Sequence, residues 1–192
     1  MNFESARRAM INSQLRTSGI NETFVLERMG TVPREDFVPE SIRNTAYVDR
    51  TLPLGDGRFL ASPVAHGRML MEARPRAADR ALVIEHGTGY LAELLRPLVA
   101  SVETLDAQTL AGGKSRKKDF DLVLVDGALD DVPKALVKTL DPAGRIVAGI
   151  IENGVSRLAV GRRTGDRIAF DMVADTALPA FPMFARAKEW SF

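Results

Sequence analysis

Apolar positions near the amino end recur at helical spacing. Phe3, Ala6, Met10 and Ile11 fall on one face of a helix over residues 3–15, and Gly19 is placed to end it. Asn21 can cap a second helix carrying Phe24, Val25, Leu26 and Met29, and Pro33 breaks that helix by disfavouring helical backbone at Val32. Residues 50–63 contain Pro53, Gly55, Gly57 and Pro63, a composition that suits an ordered loop. Ser62 or Pro63 then opens a helix through Met71, with Val64, Met69 and Leu70 as its apolar positions and Pro75 beyond its end.

At Arg80 the period changes. Ala81-Leu82-Val83-Ile84 is a short continuous apolar run, His86-Gly87-Thr88-Gly89 is a turn, and residues 90–98 read as helix, which together make the first half of a βαβ unit. Residues 101–105 and, more strongly, 120–125 have the content of buried parallel strands. A helix over 132–140, a turn at Asp141-Pro142-Ala143-Gly144 and a strand over 145–151 follow. Asn153-Gly154 and Thr164-Gly165-Asp166 punctuate two last strand candidates, 156–160 and 167–173, which can pair as an antiparallel hairpin. The expectation is one α/β domain over residues 1–192: N-terminal helices and a loop over 1–75, then a doubly wound Rossmann-like sheet with an antiparallel edge over 76–192. That is the architecture of S-adenosylmethionine-dependent methyltransferases.

Composition narrows the function classes. With 45% hydrophobic and 27% charged residues the chain can bury a core and is not a disordered segment. A net charge of +1 with the signs interleaved offers no field for nucleic acid or an anionic membrane, and Lys114-Ser115-Arg116-Lys117-Lys118 reads as a solvated loop. The absence of cysteine removes disulfides, thiolate metal sites and thiol nucleophiles, and with His66 and His86 alone a His-rich metal site is excluded, so no metal is expected. His66, inside a helix, is expected to be a partly packed surface residue. The amino end lacks a basic segment followed by an apolar core, and no run approaches the ~18 apolar residues that span a bilayer, so a cytoplasmic protein is expected.

Ligands of open α/β sheets bind beyond the carboxyl ends of the strands, where Gly87 and Gly89 would let backbone and helix N-terminus approach a nucleotide-like group. A tight strand-to-helix turn without any ligand explains those glycines equally well. Asp106, at the end of the following strand, could accept hydrogen bonds from a ribose diol or could cap a helix.

Val32-Pro33-Arg34-Glu35-Asp36-Phe37-Val38-Pro39 and Ala46-Tyr47-Val48-Asp49-Arg50-Thr51-Leu52-Pro53-Leu54-Gly55 form a long, specific string. It resembles the N-terminal signature of the protein-L-isoaspartate O-methyltransferase family. His86-Gly87-Thr88-Gly89-Tyr90, Phe120-Asp121-Leu122-Val123-Leu124-Val125, Val132-Pro133-Lys134-Ala135-Leu136 and Leu140-Asp141-Pro142-Ala143-Gly144-Arg145 extend the resemblance from about Ala6 to about Ile151, most closely to a short bacterial branch. The resemblance implies transfer of the S-adenosylmethionine methyl group to the isoaspartyl carboxylate of damaged proteins or peptides, a repair reaction that asks for orientation more than for a strong base. It implies cofactor contacts from Glu85, His86, Gly87, Thr88, Gly89, Asp106 and Asp126, substrate contacts from Leu54, Gly55, Ala61 and Ser62, and Ser62 as the catalytic serine.

Three departures stand out. The family's acidic-x-Gly-x-Gly-x-Gly motif falls on residues 83–89, with Val83 at the acidic position and Glu85 at the first glycine. A side chain at 85 can obstruct the methionine end of the cofactor, and its carboxylate would repel a carboxylate while favouring an ammonium or sulfonium. The Glu85-His86 pair reads as solvated or locally hydrogen-bonded, with a repurposed acid/base pair as the sharper alternative. Residues 107–119 are too few for the family's helix, strand and two loops, so the sheet should lack its third strand. Finally, Ala61 stands at the family's substrate serine, and the adjacent Ser62 either substitutes for it or caps the next helix. A catalytically inactive binding or structural protein is therefore the alternative. The tail Phe181-Pro182-Met183-Phe184 offers either a surface for a partner or a homodimer, or packing on the chain's own core.

Overall fold

The computed structural model describes residues 2–113 and 119–186, so the basic run 114–118 lies outside the described residues. Helix α1 (Phe3–Met10) is capped by Asn2, whose side chain accepts from Ser5 N. It does not continue as α-helix to residue 15. A wider π turn (Ile11–Leu15) and a tighter 3-10 turn (Arg16–Ser18) follow before Gly19 ends the run at φ 79°. The hydroxyls of Ser13 and Thr17 bond back to Ala9 O and Ser13 O there, competing with the regular ladder. Helix α2 (Thr23–Thr31) is capped at Glu22 without a side-chain bond, and not by Asn21 as expected; it stops at Val32, ahead of Pro33.

Residues 50–63 are more regular than a loop. Strands β1 (Leu52–Gly55) and β2 (Arg58–Leu60) pair antiparallel around Asp56 and Gly57, both with positive φ, which is the geometry of a two-residue hairpin turn. Helix α3 (Pro63–Ala73) begins at Ser62, whose Oγ accepts from Ala65 N, and ends at Arg74 in the left-handed region. The orphan carbonyls of Ala73 and Arg74 accept from Arg145, which also pairs with Asp79 at 2.6 Å in the interior.

Among the described residues the main sheet has six strands: β3 (Arg80–Glu85), β4 (Ser101–Asp106), β5 (Phe120–Leu129), β6 (Leu140–Glu152), β7 (Val155–Thr164) and β8 (Arg167–Ala174). Their order is β4-β3-β5-β6-β7-β8, with β3 to β6 parallel and β7 and β8 antiparallel. Of the parallel strands β3, β5 and β6 are largely buried on both faces while β4 is half-exposed, and the hairpin β7–β8 closes one edge. The expected turn at 141–144 is absorbed into β6 as a register shift between Phe120 and Leu122 of its partner β5.

Among the described residues β4 is the other edge, and only the short helix α5 (Ala107–Ala111) follows it before residue 114, as the small number of residues in this crossover requires. Helix α4 spans Tyr90–Leu95, and the helix expected over 132–140 is reduced to α6 (Lys134–Val137), because Pro133 opens it and Leu140 already belongs to β6. One core packs the N-terminal helices, α3 and α4 against one sheet face; the second packs α5, α6 and the tail against the other. No described helix is long and apolar enough to cross a membrane.

Candidate active site

The chain leaves β3 towards β4 on one side and returns to β5 on the other, so the strand order reverses between β3 and β5. Crevices at such a point, beyond the carboxyl ends, are where this class of sheet takes ligands. Three carboxylates gather there because three parallel strands each bring one: Glu85 ends β3, Asp106 ends β4, and Asp126 lies where β5 loses register with β6, between Leu124 and Ala128.

Glu85 is buried and turned back on its own loop, its Oε2 accepting from Gly89 N at 2.5 Å. It therefore occupies the amide at the N-terminus of α4, where an anion is most favoured. Desolvation, then the charge of Asp126, raises its pKa, against the bonds from Gly89 and Thr88. Gly87 and Gly89 have φ of 80° and 74°, and Gly89 has no heavy atom nearer than 3.9 Å to where a side chain would start, so the backbone of the turn is approachable.

The neighbouring His86 points the other way, donating from Nδ1 to Asp106 Oδ2 at 3.1 Å. Asp106 Oδ1 caps α5 through Gln108 N (2.9 Å) and Thr109 N (3.3 Å). Cap and ligand readings of Asp106 are compatible, since three donors leave one of the carboxylate's roughly four acceptor positions open, on Oδ2. Glu85 and His86 thus act locally and apart; the structure does not join them as an acid/base pair, because adjacent strand residues face opposite sides.

His66 is not the partly packed surface residue expected. It is wholly buried, with Nε2 2.9 Å from Asp126 Oδ1 and Nδ1 3.0 Å from Arg34 Nη1. Arginine only donates, so Nδ1 accepts and Nε2 carries the proton given to Asp126. Arg34, also wholly buried, donates Nε to Ala46 O at 2.7 Å and Nη2 to Ala61 O, with its guanidinium 5.0 Å from the Tyr90 ring centre. Burial lowers its pKa, while Tyr90 and Asp126 support its charge. Asp126 Oδ2 also accepts a long bond from Thr88 Oγ1 at 3.5 Å.

The residues expected on the substrate side come together only in part. Leu54 and the exposed Gly55 lie on the β1–β2 hairpin, Ala61 is buried with its carbonyl taken by Arg34, and Ser62 caps α3. Arg34, His66, Tyr90 and Arg58 are not among the site residues expected from the sequence. The available signals were the four-residue helical spacing of His66 from Ser62 and the place of Arg34 inside the long signature string.

Residues 5–107 match the sequence profile of protein-L-isoaspartate(D-aspartate) O-methyltransferase (PCMT). A protein-L-isoaspartate O-methyltransferase of Koribacter versatilis (strain Ellin345) is 32% identical over 190 residues, covering 86% of each chain. The chain belongs to the protein-L-isoaspartate O-methyltransferase family. A second member, from Desulfosudis oleivorans (strain DSM 6200 / JCM 39069 / Hxd3), is 32% identical over 187 residues, covering 84% of this chain and 85% of its own.

Solved structures agree on the family fold. A Plasmodium falciparum chain described as a beta-aspartate methyltransferase (PCMT) in complex with S-adenosyl-L-homocysteine superposes with a TM-score of 0.74 at 18% identity, over 94% of this chain and 98% of its own. Another protein-L-isoaspartate O-methyltransferase gives 0.73 at 16% identity, over 93% of this chain and 67% of its own. For a family that uses a sulfonium cofactor the residues present fit: an approachable glycine turn, an open acceptor on Asp106, and the negative charge of Glu85 and Asp126.

Proposed function

We propose that this protein transfers a methyl group from S-adenosylmethionine to the isoaspartyl side carboxylate of damaged proteins. The observation that carries the reading is the convergence of Glu85, Asp106 and Asp126 on the switch point of a family fold. When bound, the cofactor supplies an electrophilic methyl on a sulfonium. The carboxylate nucleophile needs no strong base near neutral pH, so the protein's work is to orient and to balance charge.

In this reading Asp106 accepts from a ribose hydroxyl through its free position while His86 and α5 hold it still. Gly87, Thr88 and Gly89 present backbone to the cofactor, and Glu85 and Asp126 place negative charge towards its cationic end. Asp126 is kept in place by His66, which Arg34 holds from its other ring nitrogen. Leu54 and Gly55 of the hairpin, with Ala61 and the hydroxyl of Ser62, border the substrate; the Ser62 oxygen accepts in its cap, leaving its proton for the incoming carboxylate. The reaction takes place in the cytoplasm, with no nucleic acid or membrane as partner.

A second reading, a catalytically silent scaffold, is favoured by one observation: the Glu85 carboxylate already occupies the Gly89 amide. Incubation with labelled S-adenosylmethionine and paired isoaspartyl and aspartyl peptides decides between them. Label is expected on the isoaspartyl peptide alone and to be lost in Asp106→Ala. No label, with no calorimetric binding of S-adenosylhomocysteine at millimolar concentration, selects the scaffold.

A further inference from the structure

We infer that Arg58 is the receptor for a ligand carboxylate at this site, an inference that rests on the methyltransferase reading and adds a residue to it. The carboxyl ends of the neighbouring strands β4, β3 and β5 carry Asp106, Glu85 and Asp126, so a carboxylate entering there meets like charge and needs a cation beside it. The helix N-terminus cannot meet that need, because Gly89 N already donates to Glu85. Arg34 cannot either: it is wholly buried and spends its fork on His66, Ala46 and Ala61.

Arg58 is placed to do so. The Asp56-Gly57 turn sends the β1–β2 hairpin back so that Arg58, half-buried, crosses the glycine turn. A Cβ built on Gly87 would lie 3.4 Å from Arg58 Cδ and 3.9 Å from its Nη1. Among the described residues the side chain of Arg58 makes no hydrogen bond or ion pair, its backbone alone being engaged in the β1–β2 pairing. A guanidinium lying beside the turn with an uncommitted planar fork suits bidentate recognition of a carboxylate.

Two ligands carry that chemistry here: the isoaspartyl side chain and the amino-acid end of the cofactor. Arg58→Met removes the charge at similar length, and Arg58→Lys keeps the charge without the fork. Losing a charge-assisted pair predicts about a ten- to hundredfold effect in Arg58→Met, with part regained in Arg58→Lys. If the carboxylate is the substrate's, KM for an isoaspartyl peptide rises by that factor at saturating cofactor while the Kd for S-adenosylhomocysteine holds; if it is the cofactor's, the Kd rises instead. Thermal melting of both variants checks that the fold is kept.

A second readout is independent of turnover: the Arg58 Nε–H resonance of labelled wild-type protein is expected to shift on adding one of the two ligands. A wild type that fails to transfer methyl defeats the functional reading, yet a ligand-induced shift at Arg58 would still support its role. No shift with either ligand, or an Arg58→Met variant that binds both as well as wild type, overturns the inference.

Discussion

His66 Nε2 donates to Asp126 Oδ1 at 2.9 Å across 60 residues of sequence, and both side chains are shut away from solvent. The bond ties α3, which follows the β1–β2 hairpin, to β5 at the centre of the sheet. Removing His66 leaves the Asp126 carboxylate and the Arg34 guanidinium each short of a buried partner. His66→Ala is expected to cost about 3 kcal/mol, the scale of a broken buried pair, and to lower Tm by about 6–12 °C. Asp126→Asn keeps an acceptor for Nε2 and should lose less. Melting curves test both, and a His66→Ala variant as stable as wild type would contradict the network.

Tyr47 links the N-terminal helices to the signature loop. Its hydroxyl donates to Glu35 Oε2 and accepts from Arg7 Nε at 2.7 Å and Arg34 N at 3.3 Å. Burial, then the bond to Glu35, pushes its pKa well above the ordinary tyrosine value, so it stays a proton donor at neutral pH. Tyr47→Phe is expected to cost about 1–3 kcal/mol from the groups left unpaired, read as a lower urea midpoint at unchanged slope. An unmoved midpoint would refute that account.

Glu85 predicts a pH dependence of unusual sign. Its pKa is raised in the folded protein, so above the ordinary glutamate value of about 4.3 the native state holds the proton more tightly than the unfolded chain. Stability contributed by Glu85 is thus fullest at acid pH and falls as pH rises through the folded pKa. Glu85→Gln, which can still accept from Gly89 N, should be more stable than wild type at pH 7, with the difference vanishing below about pH 4. Chemical denaturation across that range measures it; a constant difference would show that Glu85 is not the source.

Gly127 sits under the tail. A Cβ there would lie 2.7 Å from the Phe181 ring, and Phe181 N donates to Ala128 O beside it. Gly127→Ala should cost about 1–3 kcal/mol by overpacking. Combined with Phe181→Ala, the penalty of the alanine should largely disappear, so that the double variant is more stable than the two single losses added together. Strict additivity in thermal melts would mean that the ring and the backbone do not meet.

The tail also shows where a one-dimensional reading stops. Phe181 and Phe184 are buried in the second core, so these two rings pack on the chain's own interior. Nothing local distinguishes that outcome from an exposed one, since the partners of Phe181 lie some 54 residues earlier, at Gly127. The hairpin at 52–60 was readable in principle, because Asp56-Gly57 is a strong turn signal; Pro53 and Pro63 favoured a loop instead.

The order of strands and helices from residue 63 onward, the stop at Pro33, the cap at Ser62, the short crossover after β4 and the family signature ending at Gly55 were all determined by the sequence itself. Each depends on backbone chemistry or on apolar periodicity within a few residues. The tertiary structure alone decided that His66 is buried between Arg34 and Asp126, that Glu85 closes onto Gly89, and that Arg58 lies over Gly87. A polar side chain is stable in the interior only where distant segments bring it a matching donor or acceptor, and that pairing is set by how the sheet and hairpin pack.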